Sequence, residues 1–232
     1  EHTSFESFNF IKKYLKKISY KIANKVVFLT KHDEKIVNIK NSIVIKNINP
    51  YYNNSIHDYN KRNNIALAIG RFTYEKNFER LINIWNYANI ANWELIIIGE
   101  GENEKKLKEL SIDNPKIHII PPSNKLDEFY NNAKLMLMTS RYEGLPMVLI
   151  EAQSFGLPII SFDCKTGPAE IIINKESGYL INYDDDKEFI NKLILLCNND
   201  SELLRMNVNA IKNSHRFSPQ NIIKDWIKVI EE

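Results

Sequence analysis

Two cations and two carboxylates of this 232-residue sequence lie where they could handle a charged ligand rich in hydroxyl groups. Arg71 and Lys76 follow one short apolar run, and Glu143 and Glu151 follow a later one. Guanidinium and ammonium groups bind phosphate oxygens, whereas a carboxylate accepts hydrogen bonds from neighbouring hydroxyls. The four side chains together suit a ligand that joins a diphosphate to sugars. Alternatively they are solvated surface charges, as most Lys, Arg and Glu side chains are.

The two cations lie between a predicted strand, Ile65–Ile69, and a predicted helix that begins near Asn77. Gly70 opens the connecting loop, which then carries Arg71 and Lys76 towards the helix. The amino-terminal end of a helix has free N–H groups and the positive end of the helix dipole, so it favours an anion. The segment therefore predicts a diphosphate site.

A second turn with glycines, Gly99-Glu100-Gly101-Glu102, superficially resembles a dinucleotide-binding fingerprint. The third glycine position of that fingerprint is occupied by Glu104, and carboxylates in the turn would repel a pyrophosphate. Gly99 and Gly101 are therefore interpreted as turn glycines. The pattern argues against a nicotinamide or flavin enzyme.

The two carboxylates lie in the segment Thr139–Ala152. A predicted strand, Leu135–Met138, ends just before this segment, and Pro146 suits the first turn of a helix predicted for Leu145–Phe155. In an open parallel sheet, ligands bind at the carboxyl ends of the strands. We therefore expect this loop and the first turn of the helix to face a binding cleft.

Glu143 in the loop and Glu151 in the second helical turn are expected to project into this one cleft. There they would grip the ribose and the sugar at the two ends of a nucleotide sugar. The backbone amides of Gly144, Leu145 and Met147 remain available to phosphate or sugar oxygens. Glu151 lies on a mostly apolar helix, where a carboxylate needs a partner. Glu143 could instead cap the helix or be solvated.

Short β-rich apolar runs alternate with helical patterns along most of the chain, which predicts an α/β fold with a Rossmann-like parallel sheet and helices on both faces. The predicted strands are Val26–Leu29, Ile43–Lys46, Ile65–Ile69, Glu94–Ile98, Ile117–Ile120, Leu135–Met138, Pro158–Ser161 and Tyr179–Ile181. The predicted helices with assigned bounds are Phe8–Ile22, Asn77–Asn89, Asn103–Leu110, Lys125–Asn132, Leu145–Phe155, Lys187–Cys197, Ser201–Ser214 and Pro219–Ile230.

An asparagine-rich stretch between Asn49 and Asn64 is the best candidate for a linker. It divides the chain into residues 1–49, a linker over 50–63, a doubly wound domain over 64–216 and a last helix within 217–232. Residues 1–49 have too few elements to close a core alone, so we interpret them as the tail of another domain. The sequence begins at Glu1 without an initiator methionine, and we expect a piece of a longer protein.

Composition excludes several kinds of protein. The formal net charge of +2 is too small for general nucleic-acid binding, and the aromatic residues form no basic stripe. Cys164 and Cys197 have no zinc-type spacing, which indicates a reducing, cytoplasmic setting. No apolar run approaches the roughly 20 residues that a membrane-spanning helix needs.

The first predicted helix contains five lysines and no acidic residue. Such amphipathic helices lie on anionic bilayers, so we consider peripheral binding to an anionic membrane. Alternatively, the apolar side packs on the helix's own domain. The apolar residues predicted to share one face are Phe8, Ile11, Tyr14, Leu15, Ile18 and Ile22. The lysines predicted to cluster opposite are Lys12, Lys13, Lys16 and Lys17.

The spacing from Glu143 to Glu151, with Ser-Arg-Tyr before it and Gly-Leu-Pro within it, resembles the signature of retaining glycosyltransferases of family four. Gly70-Arg71 with Lys76 is similar to that family's phosphate-binding loop, and residues 159–178 are similar to its following loop and helix. The resemblance covers about residues 25–232. It implies the GT-B fold of two Rossmann domains, with a donor-binding domain over 64–216, the remnant of the acceptor domain over 1–49 and a crossover helix over 217–232.

The resemblance also implies a role for each matched position. Arg71 and Lys76 would bind the diphosphate, Glu151 the ribose hydroxyls and Glu143 the transferred sugar. Backbone groups of residues 119–122 would contact the base, although the family often has Gly where this chain has two prolines. The implied donor-binding residues are Gly70, Arg71, Lys76, Ile120, Leu126, Glu143, Gly144, Leu145, Pro146, Met147 and Glu151, with Arg71, Lys76 and Glu143 as catalytic candidates.

The implied activity is transfer of a sugar, with retention, from a nucleoside diphosphate sugar that is expected to carry uridine. The implied acceptor is a glycan or a lipid-linked molecule in the synthesis of surface polysaccharide or glycoconjugate. No metal and no cofactor are expected, because cations and amides can stabilise the leaving diphosphate. Two alternatives stay open: a module that binds the nucleotide sugar without catalysis, and a sugar phosphorylase or epimerase on the same fold.

Overall fold

The computed structural model describes residue 5, residues 8–52 and residues 58–231. Its main body is a sheet of six parallel strands in the order β5-β4-β3-β6-β7-β8. These strands are β3 (Ile65–Ile69), β4 (Glu94–Ile98), β5 (Ile117–Ile120), β6 (Leu135–Met138), β7 (Ile159–Asp163) and β8 (Gly178–Asn182). The predicted α/β fold is confirmed, and the bounds of β3, β4, β5 and β6 are those predicted.

Helices cover both faces of the sheet because its strands are apolar on both sides. In β3, Ala66 and Ala68 belong to one core, whereas Leu67 and Ile69 belong to the other. The first core includes residues of α3 (Phe78–Ala88), α4 (Glu104–Ser111), α8 (Asp186–Cys197) and α9 (Asp200–Ser214). The second includes residues of α5 (Leu126–Asn132), α6 (Met147–Ser154) and α7 (Pro168–Ile171). Two 3₁₀ turns, Tyr59–Lys61 and His215–Phe217, were not predicted.

The amino-terminal part forms a smaller unit around a parallel pair of strands. Its elements are α1 (Phe10–Ile22), β1 (Val26–Phe28), α2 (Lys31–Val37) and β2 (Ser42–Val44). Tyr20 of α1 packs against Phe28 with ring centroids 5.7 Å apart. Thr30 caps α2 by accepting a hydrogen bond from the backbone N–H of Asp33 at 3.1 Å.

The faces of α1 differ from the predicted arrangement. The apolar residues Ile11, Leu15, Ile18 and Ile22 are 42–78% exposed, so nothing in the described part of the chain covers them. The opposite side carries buried Tyr20 and the half-buried Lys13 and Lys16, so only Lys12 and Lys17 of the four clustered lysines are exposed. The prediction that all four form a solvated face is therefore wrong, because that side of the helix packs on the unit's own core.

The predicted linker is packed wherever it is described, while residues 53–57 lie outside the described residues. The ring of Tyr51 lies 5.3 Å from that of Phe155. Buried Arg62 donates to the carbonyls of Ala133 and Phe155 at 3.2 and 2.7 Å. The chain is thus anchored on the main sheet on both sides of this gap.

The carboxyl-terminal segment ends in α10 (Pro219–Glu231). Phe217 just before it is buried in the second core, and its carbonyl accepts a hydrogen bond from the N–H of Asn49 at 2.9 Å. Within α10 itself only Ile222 is buried. No helix in the described part of the chain is both long and apolar enough to cross a bilayer.

Candidate functional site

The predicted site residues lie along the carboxyl edge of the main sheet, in the loops after β3, β5 and β6 and on α5 and α6. The loops after β3 and β4 are in direct contact. Phe72 N–H donates to the carbonyl of Glu100 at 2.7 Å, and Asn103 N–H donates back to the carbonyl of Phe72 at 2.9 Å. A side chain at Gly99 would collide with the Gly70 carbonyl oxygen. Gly99 is therefore needed for this close approach, in agreement with its interpretation as a turn glycine.

Lys76 and Glu143 form an ion pair at the centre of this edge. The Nζ of Lys76 lies 2.7 Å from Oε1 and 2.9 Å from Oε2 of Glu143, so both carboxylate oxygens accept hydrogen bonds. The side chains are 21% and 8% exposed, and the Lys76 side chain lies against Gly70. The structure thus brings the predicted phosphate-binding cation and the predicted sugar-binding carboxylate together.

Arg71 lies beside a cavity of about 240 Å³ at the same edge. The side chain of Arg71 is exposed, and Gly70, Pro122 and Leu126 also line the cavity. Ile120 is half-buried, and its carbonyl accepts a hydrogen bond from Gly99 N–H at 3.0 Å. The prolines that follow have no N–H, so they offer only carbonyls to a ligand.

The loop that carries Glu143 is fixed by contacts that were not predicted. Arg141 donates from Nε to the carbonyl of Tyr74 at 3.1 Å and from Nη2 to Oδ1 of Asn77 at 2.9 Å. The hydroxyl of Thr166 donates to the backbone carbonyl of Glu143. Arg141 and Thr166 therefore position the site from two neighbouring loops. Arg141 immediately precedes Tyr142 and Glu143 in the predicted motif, but its partners are distant in sequence.

Gly167 lets the loop after β7 approach the Glu143 loop. Its φ of +99° lies in the region that favours glycine, and a Cβ there would lie 2.6 Å from both the Gly144 carbonyl oxygen and Cδ of Pro146. This glycine precedes α7 and was part of the segment that resembles the family's later loop. The two loops therefore depend on each other for their shape.

Helix α6 begins at Met147, and Pro146 is its N-cap with φ −71° and ψ 99°. The prediction that the helix begins at Leu145 with Pro146 in its first turn is therefore wrong, because the extended ψ of Pro146 keeps it outside the helix. Leu145 and Pro146 are buried, so their side chains serve the core. Within the described residues, the amides of Gly144 and Met147 donate to no acceptor and stay available at the helix amino terminus.

Glu151 lies one turn into α6 and is partly buried. The hydroxyl of Tyr130, on α5, donates to its Oε2 at 2.9 Å. Burial raises the pKa of the Glu151 carboxyl, and the Tyr130 hydrogen bond opposes that rise. The partner that a carboxylate on this apolar helix needs is thus a tyrosine that was not among the predicted site residues.

Other polar residues are engaged elsewhere. In the acidic run Asp184–Asp186, Asp185 caps α8 and Asp186 pairs with Arg80 at 2.6 Å. No group of three or more His, Cys, Asp or Glu within the described ranges is placed to hold a metal ion. Both cysteines are free thiols, and burial raises the pKa of Cys164 to about 12, so this thiol stays protonated at neutral pH.

Comparison with known proteins decides the family. Residues 53–213 match the family described as glycosyl transferases group 1. The chain belongs to this family. It is 40% identical over 248 residues to the amylovoran biosynthesis glycosyltransferase AmsD of Erwinia amylovora, which covers 99% of this chain and 68% of AmsD. It is 30% identical to an uncharacterised glycosyltransferase of Haemophilus influenzae, over 95% of this chain and 66% of that protein.

Solved structures show the same fold. A glycosyltransferase structure of S. aureus TarM superposes over all of this chain with a TM-score of 0.90 at 22% identity, although this chain spans only 50% of TarM. Anabaena HepE superposes over 98% of this chain with a TM-score of 0.85 at 15% identity, and 69% of HepE is covered. The chain thus spans about half to two thirds of the length of most of these relatives. The predicted resemblance to family-four glycosyltransferases and the GT-B type of fold are confirmed.

Proposed function

We propose that this group 1 glycosyltransferase transfers a sugar, with retention, from a nucleoside diphosphate sugar to a glycan or lipid-linked acceptor in the synthesis of surface polysaccharide or glycoconjugate. The observation that carries the proposal is the Lys76–Glu143 pair at the carboxyl edge of the sheet. A phosphate-binding cation next to a carboxylate suits a ligand in which a sugar is bonded directly to a diphosphate.

Each end of the donor has a matching surface in this proposal. The diphosphate lies between Arg71, Lys76 and the amino terminus of α6, where the amides of Gly144 and Met147 add donors. The base enters the cavity lined by Gly70 and Leu126 beside the Ile120 strand end. Uridine is the proposed base, and support comes from TarM and HepE, whose structures contain UDP.

The proposed chemistry follows from charge. Cleavage of the bond between sugar and phosphate leaves a diphosphate whose negative charge increases in the transition state. Arg71, Lys76 and the helix amides stabilise that charge in a site that is already formed, so no metal and no cofactor enter the proposal. Glu143 releases Lys76 to the phosphate and accepts hydrogen bonds from the transferred sugar. Neither Glu143 nor Glu151 is proposed as a nucleophile.

Product analysis with an isotopically labelled UDP-sugar tests this function. Transfer of the label to a glycan or polyprenyl acceptor, with the anomeric configuration kept, is expected for the protein. The Glu143→Gln variant should lose turnover while it keeps UDP affinity within about 3-fold. Phosphorolysis or epimerisation of the donor would favour the other enzymes on this fold. Donor binding without any product would favour a binding module.

We also propose that the protein acts on the cytoplasmic side of the membrane and binds it peripherally through α1. The free, buried cysteines agree with a reducing compartment. The uncovered apolar face of α1 includes Ile11 and Leu15, at 69% and 59% exposed, and lysines border it. An amphipathic helix of this kind buries its apolar face in a bilayer while its lysines contact anionic lipid head groups. Such docking would bring the site close to a lipid-linked acceptor.

A further inference from the structure

Tyr130 is the only described group that donates a hydrogen bond to the carboxylate of Glu151, and the part of the chain that holds it is rigidly packed. The Tyr130 side chain is 0% exposed, and its ring stacks on that of Phe155 at 5.2 Å with an interplanar angle of 20°. Its hydroxyl reaches Oε2 of Glu151 at 2.9 Å. The hydroxyl therefore has little freedom, and it fixes one oxygen of the carboxylate.

The surroundings of this pair are aromatic on one side. The ring of Tyr51 meets the rings of Tyr130 and Phe155 edge-on at 5.9 and 5.3 Å. Together the three rings shield the Oε2 side of Glu151 from water. The second oxygen, Oε1, accepts no hydrogen bond from any group in the described ranges. The carboxylate thus has one occupied and one unoccupied oxygen.

We propose that Tyr130 is a positioning residue for ribose recognition, which holds Oε2 of Glu151 so that Oε1 is presented to the ribose hydroxyls. The inference rests on the proposed role of Glu151 in binding the ribose. A fixed carboxylate loses less conformational entropy when it binds a pair of hydroxyls, which favours a ribonucleotide over its deoxy analogue. Tyr130 itself touches no part of the donor in this arrangement.

The same contact keeps the carboxylate ionised. Burial raises the pKa of Glu151, and the hydrogen bond from Tyr130 lowers it. The other titratable group that faces the pair is Tyr51, whose pKa is raised by burial and by the charges of Glu151 and Asp127. Without the Tyr130 hydroxyl, the pKa of Glu151 rises further. The carboxylate then takes up its proton at a higher pH, and nucleotide affinity falls at a higher pH as the solution is acidified.

The test compares the affinities for UDP and 2′-deoxy-UDP by calorimetry in the native protein and in Tyr130→Phe, which keeps the ring. We expect the preference for UDP to fall by roughly 3- to 10-fold, the usual effect of one lost hydrogen bond. The affinity of the variant for UDP should also begin to fall at a higher pH than that of the native protein. A role limited to packing would move neither quantity.

Tyr59→Phe is the matched control. Tyr59 is also buried, and its hydroxyl contacts the carboxylate of Asp200 at 3.4 Å, before β3 and away from the carboxyl edge. This variant should keep the native preference and the native pH profile. Should Tyr130→Phe fail to fold, Glu151→Asp serves instead, because its shorter side chain cannot hold the Tyr130 hydroxyl and the ribose together. It should show the same loss of preference.

Glu151→Gln separates the inference from the function on which it rests. An unchanged preference for UDP in Glu151→Gln would remove the ribose role of Glu151 itself. A reduced preference in Glu151→Gln, together with native preference and native pH profile in Tyr130→Phe, would overturn the positioning role of Tyr130 and leave the ribose role in place. Reduced preference in both variants supports the inference.

Discussion

The Lys76–Glu143 pair presents two opposite charges that a donor must separate or share. In the unliganded protein each group neutralises the other, so neither is an unpaired charge in a half-buried site. A diphosphate offers Lys76 a second anion, and hydroxyls of the sugar offer Glu143 new donors. Binding can thus exchange one set of charge-assisted hydrogen bonds for another. Arg71 is exposed and has only a weak charge interaction with Glu75, so it is available at once.

This difference between the two cations gives a prediction at the residue scale. Arg71→Ala should weaken UDP binding by roughly 10- to 150-fold, equivalent to 1.5–3 kcal/mol for hydrogen bonds to a charged group, and should weaken UMP binding less. Its melting temperature should stay native. Lys76→Ala should lose similar affinity and also melt earlier, because it leaves Glu143 without its partner.

The variants Lys105→Ala and Lys76→Ala/Glu143→Gln complete that experiment. Lys105 is 91% exposed on α4, so its replacement should change neither affinity nor melting temperature. The double variant should regain melting temperature relative to Lys76→Ala without regaining affinity for UDP. Equal losses for UMP and UDP in calorimetry would contradict the diphosphate assignment.

At the scale of elements, the sequence predicts the buried strands best. The strands β3 and β6 are continuous apolar runs bounded by polar or glycine residues, so their ends are marked by composition. The start of α6 was misplaced by two residues because leucine and proline there resemble a first helical turn, and only the backbone shows Pro146 as the cap. Arg141, Thr166 and Tyr130 were missed because their partners come from other elements. Spacing along the chain carries no signal for such contacts.

The contact between the loops after β3 and β4 gives a prediction about glycine. Gly99→Ala would place a methyl group against the backbone of Gly70, which cannot yield as a flexible side chain can. We expect a loss of about 1–3 kcal/mol, the usual cost of overpacking, and a melting temperature lower by roughly 3–10 °C. UDP affinity should fall as well, because Gly70 and Arg71 would move.

Gly70→Ala is the matched control for that variant. A methyl group at Gly70 meets only the Lys76 side chain, at 3.3 Å from its Cε, and that chain can shift. Its melting temperature, measured by calorimetry or circular dichroism, should lie within about 2 °C of native. Equal melting temperatures for the two alanine variants would show that the loops do not need this close approach.

The exposed face of α1 gives the other prediction at this scale. Binding to vesicles that contain phosphatidylserine should weaken as salt rises, because charge attraction is screened within about 10 Å at 0.1 M salt. Replacement of the exposed lysines Lys12, Lys17 and Lys21 by Gln should remove most of the binding, and Leu15→Gln/Ile18→Gln should do so without a change in charge. Both variants should keep the native melting temperature, because these side chains are exposed.

A triple variant with Lys61, Lys105 and Lys187 changed to Gln carries the same charge change at other exposed positions. It should sediment with vesicles as the native protein does. If it loses binding to the same extent as the α1 variants, the attraction belongs to net charge, and α1 is not a membrane surface.

At the scale of the whole molecule, contacts between the two units converge next to the site. Lys46 lies 3.3 Å from Oε2 of Glu170, and Oε1 of Glu170 accepts a hydrogen bond from the backbone N–H of Lys31 at 2.7 Å. Asn47 contacts the sulfur of Met147 at 3.5 Å. The sequence predicted two units but not these contacts, since each joins residues about 100 or more positions apart. The smaller unit is therefore held against the loops that form the proposed donor site.

Hydrogen–deuterium exchange with and without saturating UDP tests the central claim most directly, because it reports on every part of the chain at once. The account predicts slower exchange on UDP binding in the loops after β3, β4 and β5 and from residue 143 to residue 151. The amino-terminal edge of the sheet, around Asn64 and Trp93, should be unchanged. Protection confined to another surface, such as the groove between α3 and α8 lined by Ile84 and Ile190, would contradict it, as would the absence of any protection at the carboxyl edge.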